Sequence, residues 1–215
     1  MTIAAQTLVD VTATHLLNDT GKVRFRQAGL LAFLNEGQRA IASLVPSAYS
    51  ATTIMVLVAG SVQALPANAN LMLRPRYNVT NTTTPGSAVT PVKEEVLNAT
   101  NPNWRTMTPV ASVKHVMYNA DTPAQFHVYP PATAGTRLAA DLALIPADIL
   151  IGDNILLDDT FEAPLRNYML ARCYEKDAEY AGNPERVAYY MGLMRDGLGL
   201  KGASEDAAPM EAEAN

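Results

Sequence analysis

Residues 160–199, TFEAPLRNYMLARCYEKDAEYAGNPERVAYYMGLMRDGLG, decide the fold. Phe161, Leu165, Tyr168, Met169, Arg172, Cys173 and Tyr174 set a broad apolar surface beside charged Lys176, Asp177 and Glu179, the pattern of an amphipathic helix. Pro164 lacks an N–H and fits only the first turn, so Asp158, Asp159 or Thr160 is the expected cap. Tyr180-Ala181-Gly182-Asn183-Pro184 breaks the helix. Asn183-Pro184-Glu185 starts another, with a capping amide, a proline whose fixed φ suits the first helical position, and an acid near the positive helix end. Val187, Tyr190, Met191, Met194 and Leu198 then recur at steps of three and four until Gly197 and Gly199 loosen the helix. The result is a helix pair whose apolar faces need cover.

A second pair is expected at the other end of the chain. Thr7 to Leu17 reads as a helix stopped by Asn18-Asp19-Thr20-Gly21, and Arg24 to Leu44 as another, with Leu30, Leu34, Ile41 and Val45 at the helical step. Gly37 stands where a leucine would continue that stripe, and a small residue there lets another helix come close. Pro46-Ser47-Ala48 ends the pair.

Between the pairs the pattern changes. Thr52 to Val58 and Val62 to Leu65, joined by Ala59-Gly60-Ser61, read as a β-hairpin. Asn68 to Thr90 reads as irregular, Pro91 to Ala99 as a short helical turn, and Asn101-Pro102-Asn103-Trp104-Arg105 as a loop carrying the only tryptophan. Val113 to Asn119, Gln125 to Tyr129 and Thr136 to Ile145 read as a three-stranded antiparallel meander. The expected fold class is therefore α+β, a discontinuous antiparallel helical bundle interrupted by a β-rich insertion. Its parts are 1–48 (helix pair), 49–148 (β-rich insertion), 149–200 (helix pair) and 201–215 (a disordered acidic tail).

Composition narrows the function. A chain of 215 residues, 48% hydrophobic, buries a proper core. No basic start followed by an apolar run suggests secretion, and no apolar run reaches the roughly 20 residues that span a bilayer, so no membrane partner is expected. Four Asn-x-Thr triplets, at Asn18, Asn78, Asn81 and Asn98, then read as turn-rich composition rather than glycosylation sites. Cys173, the sole cysteine, sits on an apolar helical face and reads as a buried, inert thiol. The net charge of −5 concentrates after Ser204, where four acids meet no base; the remainder is near −1. A neutral body with an acidic tail does not grip nucleic acid, which requires clustered Lys and Arg, but it lets DNA slide past.

No catalytic, cofactor or metal set emerges. His15, His115 and His127 lie on separate elements; His115 and His127 alone have a chance of facing each other across adjacent strands. Asp153, Asp158, Asp159 and Glu162 form the densest carboxylate group, and Asp158, Asp159 or Glu162 would serve a cell-wall glycosidase. Their place just before a helix explains them as caps and dipole partners. Trp104 offers either a packing anchor or, in a carbohydrate-binding β module, a stacking platform; the anchor is the favoured reading. Tyr168, Tyr174, Tyr180, Tyr189 and Tyr190 are numerous for one helix pair and suit subunit contacts as well as a core.

Four separated segments carry a likeness. They are Phe33-Leu34-Asn35-Glu36-Gly37-Gln38-Arg39-Ala40-Ile41, the Asn101-Pro102-Asn103-Trp104 loop, Val113-Lys114-His115-Val116 through Phe126-His127-Val128-Tyr129-Pro130-Pro131, and Ala171-Arg172-Cys173-Tyr174-Glu175-Lys176-Asp177-Ala178-Glu179-Tyr180. In that order, over about Gly21 to Leu200, the chain resembles the head-to-tail adaptor (connector) proteins of short-tailed bacteriophages. It departs from them at Asn68 to Thr84, in the acidic tail, and at Cys173, where a small residue is more usual.

The resemblance implies a structural virion protein of the tail or neck, assembled in the bacterial host cytoplasm and not an enzyme. It implies a dodecameric homo-oligomeric ring, with the portal protein above, the tail nozzle protein below, and packaged DNA passing through without sequence-specific binding. A ring is the closed form of a head-to-tail contact. Tyr168, Arg172, Tyr189, Tyr190, Met194, Leu198 and Lys201 are the expected subunit or portal interface, with Trp104 as loop anchor.

Overall fold

The computed structural model describes residues 3–176 and 182–200, and it is α+β. Two compact units make up the chain: Met1–Ile41 with Pro146–Asn215, and the intervening Ala42–Ile145.

The first unit is helical. Helix α1 (Ala5–Asp10) passes directly into a π-helical stretch, Val11–Leu16. There Thr12 Oγ1 donates to the Leu8 carbonyl at 2.7 Å, a side chain entering the backbone ladder as such widened turns favour. Helix α2 (Gln27–Leu44) starts three residues later than the sequence pattern predicts. The Asp19 carboxylate accepts the N–H groups of Val23, Arg24 and Phe25 at 2.8–3.0 Å, so those residues close a loop before the helix begins. These bonds, Phe25's above all, hold the Asp19 carboxyl below its ordinary range.

Before helix α4 (Glu162–Lys176), Asp158 caps a single 3-10 turn by accepting the Thr160 N–H at 3.0 Å, as one of the three cap expectations had it, and Pro164 lies in the first turn of α4. Helix α5 (Asn183–Gly197) takes Asn183 as its first residue rather than as its cap; Gly182 occupies the cap position without a side-chain bond, and Asn183 is buried. A Cβ on Gly197 would stand 3.2 Å from Pro164 Cγ, so the end of α5 lies against the start of α4.

Helices α2 and α4 meet at Gly37. A Cβ there would stand 3.0 Å from Tyr168 Cδ1 and 3.3 Å from Leu165 Cδ2, the close approach the missing side chain was expected to permit. Leu30, Leu34, Ile41, Leu165, Met169 and Cys173 are buried in this unit. Buried amides tie α2 to the chain that returns after the insertion. Asn35 Nδ2 donates to the Ile149 carbonyl at 3.1 Å while its Oδ1 accepts the Ile149 N–H at 3.0 Å, and Gln38 Oε1 accepts the Leu156 N–H at 2.7 Å.

The second unit holds two four-stranded sheets. One runs β1 (Ser50–Val56), β8 (Arg137–Leu144), β3 (Ala69–Thr80), β4 (Thr84–Ala88), antiparallel throughout. The other runs β2 (Gly60–Ala64), β7 (Gln125–Ala132), β6 (His115–Tyr118), β5 (Thr90–Pro91), with only the last pair parallel. Met55, Met72, Leu138, Ala140 and Leu142 from the first pack with Val116, Phe126 and Val128 from the second in one core. A short helix α3 (Glu94–Thr100) follows β5.

Three expectations are corrected here. β1 and β2 do not form a hairpin; they belong to different sheets. Leu57 is buried and bonds to Thr136 and Gly135, and the Gln63 amide clasps both backbone groups of Val58 at 2.8 and 2.9 Å, so the linker passes from one layer to the other instead of turning back. Asn68 to Thr90 is not irregular. It holds the longest strand, β3, whose register against β8 shifts at three places around Leu71 to Tyr77, and these bulges accommodate Pro75 and hide the simple alternation. The meander is half right: β6 pairs with β7, but β8 leaves for the other sheet, and β7 continues through Pro130-Pro131, with a cis Tyr129–Pro130 bond, where a linker had been expected.

Candidate assembly surfaces

Arg172 links α4 to α2. Its guanidinium pairs with Glu36 of α2 at 3.2 Å and with Glu175 one turn on, and lies 5.8 Å from the Phe33 ring centroid. Tyr168 shares Glu36, and burial together with that carboxylate pushes its hydroxyl up to about 12. Tyr168 and Met194 are buried within this unit, so a single copy already covers them. Arg172, Tyr190 and Leu198 are half-buried, and Tyr189 is 62% exposed. Lys201 and the acidic tail lie outside the described residues.

A row of rings marks the outer side of α4 and α5. Tyr174 stacks on Tyr190 with centroids 5.6 Å apart and planes 4° from parallel, Tyr189 meets Tyr190 edge-on at 5.3 Å, and Arg186 lies 5.2 Å from the Tyr174 ring. Of the apolar stripe on α5, only Met194 is fully buried; Val187, Tyr190, Met191 and Leu198 keep part of their surface in water. Stacked, half-wet tyrosines with a neighbouring arginine are the composition that protein interfaces favour.

Trp104 is an anchor. It is fully buried in a 3-10 turn, its Nε1 donates to Asn98 Oδ1 at 3.0 Å, and it packs with Leu97 and Met117. The Arg105 guanidinium covers one side at 4.4 Å and His127 meets it edge-on at 5.9 Å. A ring so enclosed is not a stacking platform for a sugar, and that reading is withdrawn.

The candidate carboxylates do local structural work. Asp153 Oδ2 accepts the Leu150 N–H at 2.7 Å, Asp158 accepts from Thr160, and Glu162 lies 3.5 Å from Arg166 at the start of α4. His115 stands opposite Tyr129 and His127 opposite Met117, so the two histidines do not face each other. His115 Nδ1 instead meets Thr90 Oγ1 at 2.7 Å. Among the described residues no three His, Cys, Asp or Glu side chains gather as a metal would require, and no helix is long and apolar enough to cross a membrane. Cys173 is buried, and that burial pushes its thiol up to about 12.

Sequence reasoning missed one charged cluster. Asp141, in the middle of β8, accepts Arg74 Nε and Arg76 Nε, each at 2.7 Å, and Thr52 Oγ1 at 2.6 Å. Arg76 above all holds the Asp141 carboxyl well below the usual carboxylate range. The cluster joins β1, β8 and β3 across the outer face of the first sheet, and its partners are too far apart in sequence to announce it.

The SU10 adaptor protein family model matches residues 3–213, almost the whole chain and both units. The chain belongs to the SU10 adaptor protein family. It is therefore an adaptor of phage virions, a structural protein by family, in keeping with the resemblance of its four segments. A search of curated proteins returned no match.

Proposed function

We propose that this SU10-family adaptor forms a ring, dodecameric as the resemblance implies, that joins the portal to the tail nozzle and leaves a passage for DNA during genome retention and ejection. The family match across both units is the observation that carries this reading. The half-covered stripe on α5 and the tyrosine row beside it support it, because they offer contact area that one copy leaves in water. In this reading the helical unit is a discontinuous bundle, Arg172, Tyr189, Tyr190 and Leu198 meet a neighbouring copy or the portal, Lys201 continues that surface, and Tyr168 and Met194 support it from behind. A body of net charge near −1 fits a wall along which phosphates slide without being held.

The test is to mix the purified chain with portal rings and image the product by electron cryomicroscopy. A dodecameric layer added to the portal is the expected result, and portal rings that stay bare at saturating chain would overturn the proposal. A peptidoglycan turnover assay on the same preparation addresses the enzymatic alternative: turnover that disappears in Asp159→Asn would replace the structural reading with the glycosidase one.

A further inference from the structure

The four strands at the open edges of the two sheets, β1, β4, β2 and β5, contain no charged residue. They sit in two long stretches, 40–73 and 77–92, that lack Asp, Glu, Lys, Arg and His altogether, in a chain of which 17% is charged. Natural sheets guard such edges with lysines and other charges, because an unpaired strand is a template for another chain. β1 is the least guarded: seven residues long, without proline, glycine or a register shift against β8, and apolar on its outward side at Ile54 (41% exposed) and Val56 (65%).

The opposite edge of that sheet is β4, and all five of its residues are exposed. The geometry points to β4 of a second copy as the occupant of the β1 edge, repeated head to tail so that one contact type covers both open edges of this sheet in every copy. This rests on the ring reading above and names the surface that would close it.

Three observations support this occupant. Strand direction alternates along β1, β8, β3 and β4, so a following β1 placed beside β4 is antiparallel to it, like each pair inside the sheet. Charge does not oppose it: neither edge strand carries a charged residue, so neither repels the other. The area is the third. The five residues of β4 span about 17 Å, and one edge of a two-layer sandwich about 10 Å thick buries only on the order of 200 Å² per partner, well under the ~800 Å² of a stable pair. Such a contact does not hold two free copies together; it gains force when repeated around a closed ring and supplemented by the helical surfaces. Pro85 withholds one donor near the start of β4, while Gly86, Ser87 and Ala88 keep theirs.

Ile54, Ala139, Tyr77 and Ala88 stand in one row across the sheet, which fixes which side chains share its outer face and supplies the probe positions. Full-length Ile54→Cys or Val56→Cys chains are mixed with Ala88→Cys chains, up to millimolar concentration, oxidised, and separated without reductant. Cys173, buried and the only native thiol, stays out of the reaction. The expected result is a cross-linked species in the mixtures and a ladder in the Ile54→Cys/Ala88→Cys double variant, with none when a single variant is oxidised alone. Adding Val56→Lys to the Ile54→Cys/Ala88→Cys pair, at a position exposed enough to leave far-UV circular dichroism unchanged, should cut the cross-link at least tenfold. Dimers of Ile54→Cys alone would replace the head-to-tail contact with a two-fold one and overturn the inference. So would the absence of cross-links in every mixture, or insensitivity to Val56→Lys. Rings that assemble on the portal without these cross-links remove the edge contact and leave the adaptor reading standing; cross-links in a chain that ignores the portal do the reverse.

Discussion

Asn78 holds Val113 by both of its backbone groups: Nδ2 donates to the Val113 carbonyl at 2.7 Å, and Oδ1 accepts the Val113 N–H at 2.8 Å. Both residues are buried, so one side-chain amide replaces a strand neighbour for a residue that lies just outside β6. Asn35 treats Ile149 in the same way in the helical unit, and Gln63 does so for Val58. Each amide satisfies a backbone segment at a place where the chain is between regular elements.

Replacing Asn78 with Leu should therefore be among the more damaging single changes in the β unit. It strands a buried N–H and a buried C=O, each worth roughly 1–3 kcal/mol. A fall of about 2–4 kcal/mol in unfolding free energy, read from urea titration followed by tryptophan fluorescence, is expected; Trp104 reports on this unit alone. A loss below about 1 kcal/mol would show that water takes over the amide's role.

Gly37→Leu should destabilise the helical unit although leucine is the better helix former by about 1 kcal/mol. Its Cβ alone would stand 3.0 Å from the Tyr168 ring and 3.3 Å from Leu165, so the larger side chain must force α2 and α4 apart. The expected cost of about 1–3 kcal/mol would be read as a lower thermal midpoint by far-UV circular dichroism. An unchanged or raised midpoint would mean that the helices separate freely.

Acid should weaken the first sheet. The Asp141 carboxyl is depressed in the folded chain, by Arg76 first and by Thr52 and Arg74 as well. Its contribution is thus fully present above the unfolded carboxylate value of about 3.9 and is lost as the pH falls below that, toward the folded value. Stability measured between neutral pH and strong acid should decline less steeply in Asp141→Asn than in the native chain. Parallel profiles for the two proteins would show that Asp141 titrates as it does in an unfolded chain.

The Cys173 thiol should ignore alkylating reagents at pH 8 in the native chain and react fully in denaturant, because burial raises it to about 12. Mass spectrometry after a short iodoacetamide pulse reads this directly. Rapid native labelling would place the α4 core open to solvent.

Local chemistry made the helical unit readable and left the β unit partly hidden. The Pro164 position and the role of Gly37 follow from spacing, and the cap is narrowed to Asp158, Asp159 or Thr160, because a helix is built from near neighbours. Sheet partners are not near neighbours. Ser50 to Val56 and Gly60 to Ala64 look like a hairpin because they are adjacent and β-prone, whereas their partners lie in Arg137–Leu144 and Gln125–Ala132. β3 escaped because its bulges break the two-residue period on which strand reading depends. The surface residues show a third limit: the helical stripe puts Met194, Tyr190 and Leu198 on one side, but not that Met194 is buried while Tyr190 and Leu198 stay half-exposed. That distinction is made by what the rest of the chain brings against them.

The insertion of Ala42–Ile145 into the helical unit has a consequence for synthesis. When the ribosome has released Gly37, the residues that pack against it, Leu165 and Tyr168, are still more than a hundred codons away. At about 5–20 residues per second the nascent α2 waits roughly 6–25 s for its counterpart, while the β unit, continuous in the chain, is complete sooner. The helical unit is thus the last part of each copy to mature, and α2 is the segment most in need of a chaperone while translation runs.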